Sequence, residues 1–115
     1  MPRRLVVLSA QAGRDFDNII EWTAGNFGRQ KAEAYETLIV ATLRRLEDGR
    51  TQATNWRLTG HVDVRRVPVG DGRIRGAHFL YFQERAAAAQ QTVQVVRILH
   101  TAMDPTLHLS TNDPT

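Results

Sequence analysis

The residues in this chain that could do chemistry are a histidine and several arginines. His100 ends the apolar segment Thr92–Leu99, and Arg97 interrupts it. An imidazole can accept or donate a proton near neutral pH, and a guanidinium makes forked contacts with phosphate or carboxylate. A small domain places a working site where polar groups end a buried strand. The end of this segment, with Met103 and Asp104 directly after it, is therefore a candidate site.

Each of these residues also has a purely structural interpretation. His100 has no partner visible in the sequence, and such a histidine is more often hydrogen-bonded to nearby backbone. Arg97 lies among valines and leucines, where an unpaired buried charge would be strongly destabilising. We therefore predict that Arg97 is structural and pairs with Asp63 or Asp104. Asp104 precedes Pro105, which favours a turn there.

A second group of candidates surrounds a predicted hairpin. Arginines precede and follow the turn Gly70–Gly72, and together they would form a local basic patch. Such a patch could bind a phosphate backbone or an acidic protein segment equally well. The arginines concerned are Arg65, Arg66, Arg73 and Arg75.

Composition narrows the class of protein. The chain has 115 residues, of which 42% are hydrophobic and 23% charged, so one packed domain over residues 1–109 is expected, with a flexible tail at 110–115. The net charge is +3, and the excess lies at residues 49–100, which hold eight arginines and three acids.

Cysteine is absent, which excludes disulfides, thiol catalysis and cysteine-ligated zinc. The histidines lack metal-ligand spacing, so we predict no metal and no cofactor. No apolar run suits a signal peptide or membrane span, so we expect a cytoplasmic protein without membrane association.

Two helices are predicted in the first half of the chain. After a short strand at Leu5–Leu8, Ser9 is a favourable N-cap for a helix that runs to about Phe27. A second helix runs from about Arg29 to Asp48 and ends at Gly49. Such a short connection predicts an antiparallel helical hairpin. The first apolar stripe is Ala12, Phe16, Ile19, Ile20, Thr23 and Phe27, with Asp15, Asp17 and Glu21 on the polar side; the second is Ala32, Tyr35, Leu38, Ile39, Thr42, Leu43 and Leu46.

The second half of the chain predicts strands. Residues 50–60 are polar and aperiodic, which indicates a loop anchored by Trp56 and Leu58. The strands are predicted at His61–Val69, Ile74–Gln83 and from Thr92, with a loop at Glu84–Gln91. The last strand is apolar on both faces, so it should be central. The order β-α-α-β-β-β predicts an α+β domain, with the helical hairpin on one face of a small, mainly antiparallel sheet.

Five short segments occur in a characteristic order and spacing along the chain. They are Leu8-Ser9-Ala10, Asn26-Phe27-Gly28, Arg66-Val67-Pro68-Val69, Phe79-Leu80-Tyr81-Phe82 and Val96–Asp104. Together they resemble the ParE/RelE toxin superfamily of bacterial toxin–antitoxin systems, over residues 5–109. The last segment resembles the ParE branch, whose chains typically end on a Leu-His-x-x-Met/Arg-Asp motif.

The resemblance implies the toxin of a type II system, held in a hetero-oligomer by a cognate antitoxin. Toxins of the ParE branch inhibit DNA gyrase and block replication without chemistry of their own, so no catalytic residue is assigned. The contact candidates for gyrase or antitoxin are Arg65, Arg66, Arg73, Arg75, His100, Met103 and Asp104.

The alternative that the resemblance leaves open is a RelE-like endoribonuclease that cuts mRNA on the ribosome. RelE-type toxins use basic residues with a C-terminal tyrosine or its equivalent, and this chain has no tyrosine after its last strand. Cleavage by the RNA's own 2′-OH needs a proton acceptor and groups that stabilise charge on the phosphate. In this alternative His100 would take the first role, and Arg65, Arg66 or Arg97 the second.

Overall fold

The structure, a computed structural model, describes residues 4–49, 64–86 and 90–109. The order of its elements is the predicted β-α-α-β-β-β, followed by one turn of 3-10 helix at Pro105–Leu107. The α+β class is therefore confirmed. The elements are β1 (Leu5–Leu8), α1 (Ala10–Phe27), α2 (Arg29–Asp48), β2 (Val64–Gly70), β3 (Arg75–Ala86) and β4 (Gln91–His100).

The strands form one sheet in the order β1-β4-β3-β2. β4 is an inner strand, as its apolar faces predicted, with β1 parallel on one side and β3 antiparallel on the other. The sequence did not decide where β1 joins, and the structure places it at the edge. Because β1 ends at Leu8, opposite Val95, none of the described strands lies beside the rest of that side of β4.

Local capping sets the ends of both helices. The Ser9 hydroxyl accepts a hydrogen bond from the Ala12 N–H (3.1 Å), which satisfies a free donor in the first turn of α1. Gly28, at φ 92°, lies between the helices, and Gly49, in the left-handed region at φ 70°, ends α2. Both positions need a residue that tolerates positive φ. The predicted helix bounds and helical hairpin are confirmed.

The helices pack on one face of the sheet. Ala12, Ile39 and Leu46 are buried against strand residues such as Leu80 and Phe82. Alternate strand residues form a separate cluster on the other face, because successive side chains of a strand point to opposite sides. That second cluster contains Val64, Tyr81, Val96 and Leu99.

Four predicted strand ends in the β half are wrong. The first is the end of β2, which includes Gly70 instead of stopping at Val69. Glu84–Ala86 and Gln91 were assigned to a loop, but β3 and β4 remain paired as far as Ala86 opposite Gln91. Ile74 was assigned to a strand but lies in the turn, and β3 begins at Arg75. The predicted loop at 50–60 with its anchors Trp56 and Leu58, the strand residues 61–63 and the tail at 110–115 lie outside the described residues.

Candidate functional site

A groove of about 670 Å³ lies between α1 and the C-terminal end of β4. Helix α1 forms one wall, and the ends of β3 and β4 form the other. The segment that follows β4 completes the groove. Its lining includes Asp15, Ile19, Trp22, Phe27, His78, Arg97, Leu99, His100, Met103 and His108.

The wall formed by α1 is attached to the edge of β4 that β1 leaves unpaired. The Ser9 N–H donates to the Val95 carbonyl (2.9 Å), and the Ser9 hydroxyl donates to the Val96 carbonyl (3.0 Å). Further along the edge, the Ile98 N–H donates to Oδ2 of Asp15 (3.0 Å). Side chains of α1 and its N-cap thus replace a neighbouring strand, and they satisfy backbone groups that burial would otherwise leave unpaired.

Arg97 is bound to the same wall. Its Nε lies 2.8 Å from Oδ2 of Asp15 and its Nη2 lies 3.0 Å from Oδ1, while Nη1 donates to the His108 carbonyl (2.9 Å). The acidic partner is therefore Asp15, which was assigned to the polar side of α1 but is only 9% exposed. Of the two predicted partners, Asp63 lies outside the described residues. The prediction that Arg97 pairs with Asp104 is wrong, because Asp15 is its acidic partner.

Asp104 instead shapes the turn after β4. Its Oδ1 accepts hydrogen bonds from the hydroxyl (2.7 Å) and the N–H (3.0 Å) of Thr106. These bonds lower the pKa of the Asp104 carboxyl below its usual value. Met103, the preceding residue, is 46% exposed beside the groove. The segment after β4 is thus ordered by its own hydrogen bonds and presents Met103 at the rim.

Two histidines and a tyrosine form a polar cluster at the sheet end of the groove. Oη of Tyr35 lies 2.6 Å from Nδ1 of His78 and accepts a hydrogen bond from the Ala77 N–H (3.0 Å). The Tyr35 hydroxyl is therefore hydrogen-bonded to both β3 residues, His78 and Ala77. The His78 ring meets the His100 ring edge to face, with centroids 5.3 Å apart. Nδ1 of His100 accepts from the Ala102 N–H (3.0 Å).

Burial determines the protonation of this cluster. It raises the pKa of Tyr35, so the hydroxyl keeps its proton. It also lowers the pKa of His78 to about 4, with the nearby His100 as a second cause and Asp15 acting weakly in the opposite direction. At neutral pH His78 is therefore uncharged.

The outer rim of the groove is aromatic. Trp22 is 61% exposed and Phe27 is 63% exposed, and their rings pack edge to face with centroids 5.7 Å apart. The sequence assigned Phe27 to the buried stripe of α1, which is wrong. It is the last residue of the helix before the chain reverses at Gly28, and its ring contacts Trp22 instead of the core.

Two predicted contact residues lie along β2, away from the groove. Arg66 stacks over the Phe79 ring (4.1 Å from Cζ to the ring centroid), with Nη1 3.4 Å from Oη of Tyr81. Arg65 pairs with Glu84 and lies over the Phe82 ring. Arg66 faces Tyr81 across the strand pair, three residues from His78 and hence roughly 10 Å along the strand. The structure therefore does not place Arg65 and Arg66 beside His100.

The other predicted contact residues share one end of the sheet. His100 pairs with His78 at the end of β4, and the β2–β3 turn lies just beyond, where Gly70 pairs with Arg75. Oδ1 of Asp71 holds this turn by accepting from the N–H groups of Arg73 (2.9 Å) and Ile74 (2.7 Å). The residues at this end are Arg73, Arg75, His100, Met103 and Asp104.

Sequence reasoning missed Asp15, Trp22, Tyr35 and His78 as site residues. Asp15 had a usable signal, since it lies three residues after Ala12 and four before Ile19, on the apolar stripe. An acid at such a position needs a buried partner. The other three carried no comparable signal, because strand register and helix packing bring them together.

Two further findings concern the described part of the chain. Over residues 4–49, 64–86 and 90–109, no three or more histidine or acidic side chains are grouped in a way that could hold a metal ion. Neither described helix combines the length and apolarity needed to span a membrane.

Comparison with known proteins adds an independent result. The family model described as "ParE toxin of type II toxin-antitoxin system, parDE" matches residues 6–105. Among solved structures, a chain of the "Chromosomal ParDE TA system from P. aeruginosa" superposes with a TM-score of 0.68 at 17% identity, covering 87% of this chain and 98% of that one. At that identity the superposition supports the fold alone. No curated protein matches the chain significantly.

Proposed function

Because the chain belongs to the ParE toxin family of type II toxin–antitoxin systems, we propose that it inhibits DNA gyrase and that a cognate antitoxin neutralises it. The family match carries this proposal, since it extends from β1 to the Met103–Asp104 turn. The Leu99-His100-x-x-Met103-Asp104 ending, which resembles the ParE branch, supports gyrase over the ribosome.

The geometry of the groove favours a binding role over catalysis. A nuclease would need a base and free cations that converge on one phosphate. The Arg97 guanidinium is already bound by Asp15 and the His108 carbonyl. Nδ1 of His100, the proton acceptor in the endoribonuclease alternative, already accepts a hydrogen bond from the Ala102 N–H. Arg65 and Arg66, the other cations of the endoribonuclease alternative, lie along β2 against partners of their own.

The groove is the surface that we assign to the antitoxin. Trp22, Phe27 and Met103 are large apolar side chains exposed beside one another around a concavity. Such patches mark sites of protein interaction, and tryptophan is among the residues that contribute most binding energy at interfaces. An amphipathic antitoxin segment would place its apolar side chains in this groove. Neutralisation would then follow from covering the rim and the end of β4.

Two assays distinguish gyrase from the ribosome as the target of the toxin. Purified toxin is added to gyrase in a plasmid-supercoiling reaction, and to a translation reaction whose mRNA is mapped by primer extension. We expect supercoiling to stop and cleaved DNA to accumulate, with no new mRNA ends. Normal supercoiling together with new mRNA ends in the ribosomal A site would overturn the gyrase proposal and support the endoribonuclease.

The antitoxin surface is tested with a Trp22→Ala variant and the protein encoded by the reading frame next to the toxin gene. Loss of an exposed tryptophan should lower the affinity by about tenfold or more if the groove is the interface. Thermal stability should not change, because Trp22 is mostly exposed. Glu33→Ala, on the exposed face of α2, is the matched control. Equal affinity for all three proteins would exclude the groove.

A further inference from the structure

The turn between β2 and β3 presents an apolar side chain between two cations. The segment Gly70–Gly76 reads Gly-Asp-Gly-Arg-Ile-Arg-Gly. Ile74 is 63% exposed, and Arg73 and Arg75 on either side of it are exposed as well. A single exposed isoleucine is common on protein surfaces, and this one is distinguished by the exposed arginine on each side of it.

The turn is held rigidly from within. The Asp71 N–H donates to the Ile74 carbonyl (3.1 Å), and the Asp71 carboxylate accepts from the N–H groups of Arg73 and Ile74. These bonds lower the pKa of Asp71. Gly72 supplies the positive φ of 92° that the turn requires. The backbone of Arg73 and Ile74 is therefore held in place by the turn itself.

Helix α2 anchors the base of the same turn. Oγ1 of Thr42, which is fully buried, accepts from the Gly70 N–H (3.0 Å). The Arg45 guanidinium donates to the Gly70 carbonyl. On the other strand the Ala77 N–H is bound to Tyr35 of α2. A protruding turn braced on both strands loses little conformational entropy on binding.

The charge near the turn is positive. Asp71 is the only acid in the segment 70–76, and its carboxylate is used to shape the turn. With Arg45 at the base there are three arginines against one aspartate, which gives a local charge of +2. An apolar side chain flanked by arginines is the combination with which proteins insert between base pairs from the minor groove. The arginines bind the phosphates or the groove while the apolar side chain unstacks one step.

We propose that this turn binds duplex DNA, with Ile74 inserting between adjacent base pairs and Arg73 and Arg75 contacting the backbone on either side. This proposal rests on the proposed function, because gyrase is the enzyme that would hold and cut the duplex. The toxin would touch the DNA as well as the enzyme. A wedge at the cleaved site would oppose religation by holding the base pairs apart.

Duplex binding is measured first, without gyrase. The full-length toxin is titrated into a short labelled duplex over a range of salt concentrations, with an adjacent fluorescent base reporting unstacking. In the double variant Arg73→Gln/Arg75→Gln we expect affinity to fall by about tenfold or more and the salt slope to decrease by about 2. In Ile74→Ser we expect the unstacking signal to disappear while the salt slope stays the same.

The control removes equal charge elsewhere. Arg29→Gln/Lys31→Gln alters two exposed cations at the start of α2 and should bind DNA as the unaltered toxin does. Circular dichroism should show all variants folded, because each changed side chain is exposed. If all variants bind the duplex equally, the inference is overturned. It is also overturned if the turn variants lose affinity for the antitoxin and not for DNA.

A gyrase cleavage assay separates this inference from the proposed function. We expect the unaltered toxin to accumulate cleaved DNA and the turn variants to fail. If all variants trap cleaved DNA equally, the turn inference fails and gyrase inhibition stands. If the toxin binds the duplex as described but leaves gyrase unaffected, the gyrase proposal fails and the DNA contact stands.

Discussion

Asp15 of α1 and Arg97 of β4, 82 residues apart in sequence, form a two-point ion pair at one wall of the groove. The two side chains are only 10% and 16% exposed, and Asp15 also accepts the Ile98 N–H. One carboxylate therefore pairs with a partly buried guanidinium and also accepts a hydrogen bond from the open edge of β4. This pair joins the helix to the half of β4 that β1 does not reach.

Asp15→Ala should lower the free energy of unfolding by about 3 kcal/mol, the lower end of the range for a buried pair, because it leaves a partly buried guanidinium without its counter-ion and the buried Ile98 N–H without its acceptor. Urea unfolding followed by circular dichroism measures the change. Asp17→Ala, an exposed acid on the same helix, should change stability by no more than about 0.5 kcal/mol. Equal effects of the two substitutions would show that the ion pair contributes nothing.

His78 should make the protein less stable as the pH falls. The unfolded chain binds a proton at His78 near the ordinary pKa of 6.5, whereas the folded protein binds it only near a pKa of about 4. Between these values the unfolded state holds more protons, so the free energy of unfolding decreases from pH 6.5 towards pH 4. We expect a loss of about 1–2 kcal/mol, discounted for solvent screening of a half-buried ring.

The measurement compares urea unfolding at several pH values for the unaltered protein and His78→Asn. Asparagine keeps an acceptor for the Tyr35 hydroxyl but does not titrate. The difference between the two pH profiles isolates His78 from the carboxylates that titrate in the same range. Parallel profiles would contradict the lowered pKa of His78. A histidine NMR titration should show the same group protonating near pH 4.

Gly76→Ala should be destabilising because a Cβ at this position would lie 2.6 Å from Oη of Tyr35. Either the tyrosine or the strand must move, which costs about 1–3 kcal/mol. The hydrogen bonds of Tyr35 to His78 and Ala77 would be disturbed as well. Thermal or urea unfolding measures the loss.

A double-mutant cycle with Tyr35→Phe checks the cause. Removing the hydroxyl relieves the shortest contact, so the two substitutions together should cost less than the sum of their separate effects. Additive losses would mean that Gly76→Ala acts through the backbone alone. Gly13→Ala, with no heavy atom within 4 Å of the added carbon, controls for the added methyl group.

Thr42→Val should remove the anchor between α2 and the β2–β3 turn. The substitution keeps the shape of the side chain but deprives the buried Gly70 N–H of its acceptor. We expect a loss of about 1–3 kcal/mol in urea unfolding. Thr37→Val, whose hydroxyl bonds only to the Glu33 carbonyl on the exposed side of α2, should be nearly neutral. A neutral Thr42→Val would show that the anchor is dispensable.

Sequence reasoning predicted the helical half well, because its determinants are local. The Ser9 cap, the positive φ at Gly28 and the left-handed Gly49 each act within one turn of helix. The β half was predicted less accurately. The ends of β3 and β4 depend on pairing between Ala86 and Gln91, and the alanines between the two strands carry no strand signal.

The candidate site was only partly predictable for the same reason. Asp15 could have been found, since its spacing places it on the apolar stripe of α1. The contact between His78 and His100 follows from a strand register that the sequence does not state. Tyr35 reaches His78 only because α2 packs against that end of the sheet.

By itself, the sequence determined the order of the elements, the helix bounds, the inner position of β4 and the resemblance to the ParE branch. These follow from caps, periodicity and short motifs, which act over a few residues. The tertiary structure alone decided that Arg97 pairs with Asp15, that Phe27 and Trp22 form an exposed rim, and that Arg65 and Arg66 lie away from His100. Each of these depends on packing between distant segments, and the energy of such contacts exists only once the chain has folded.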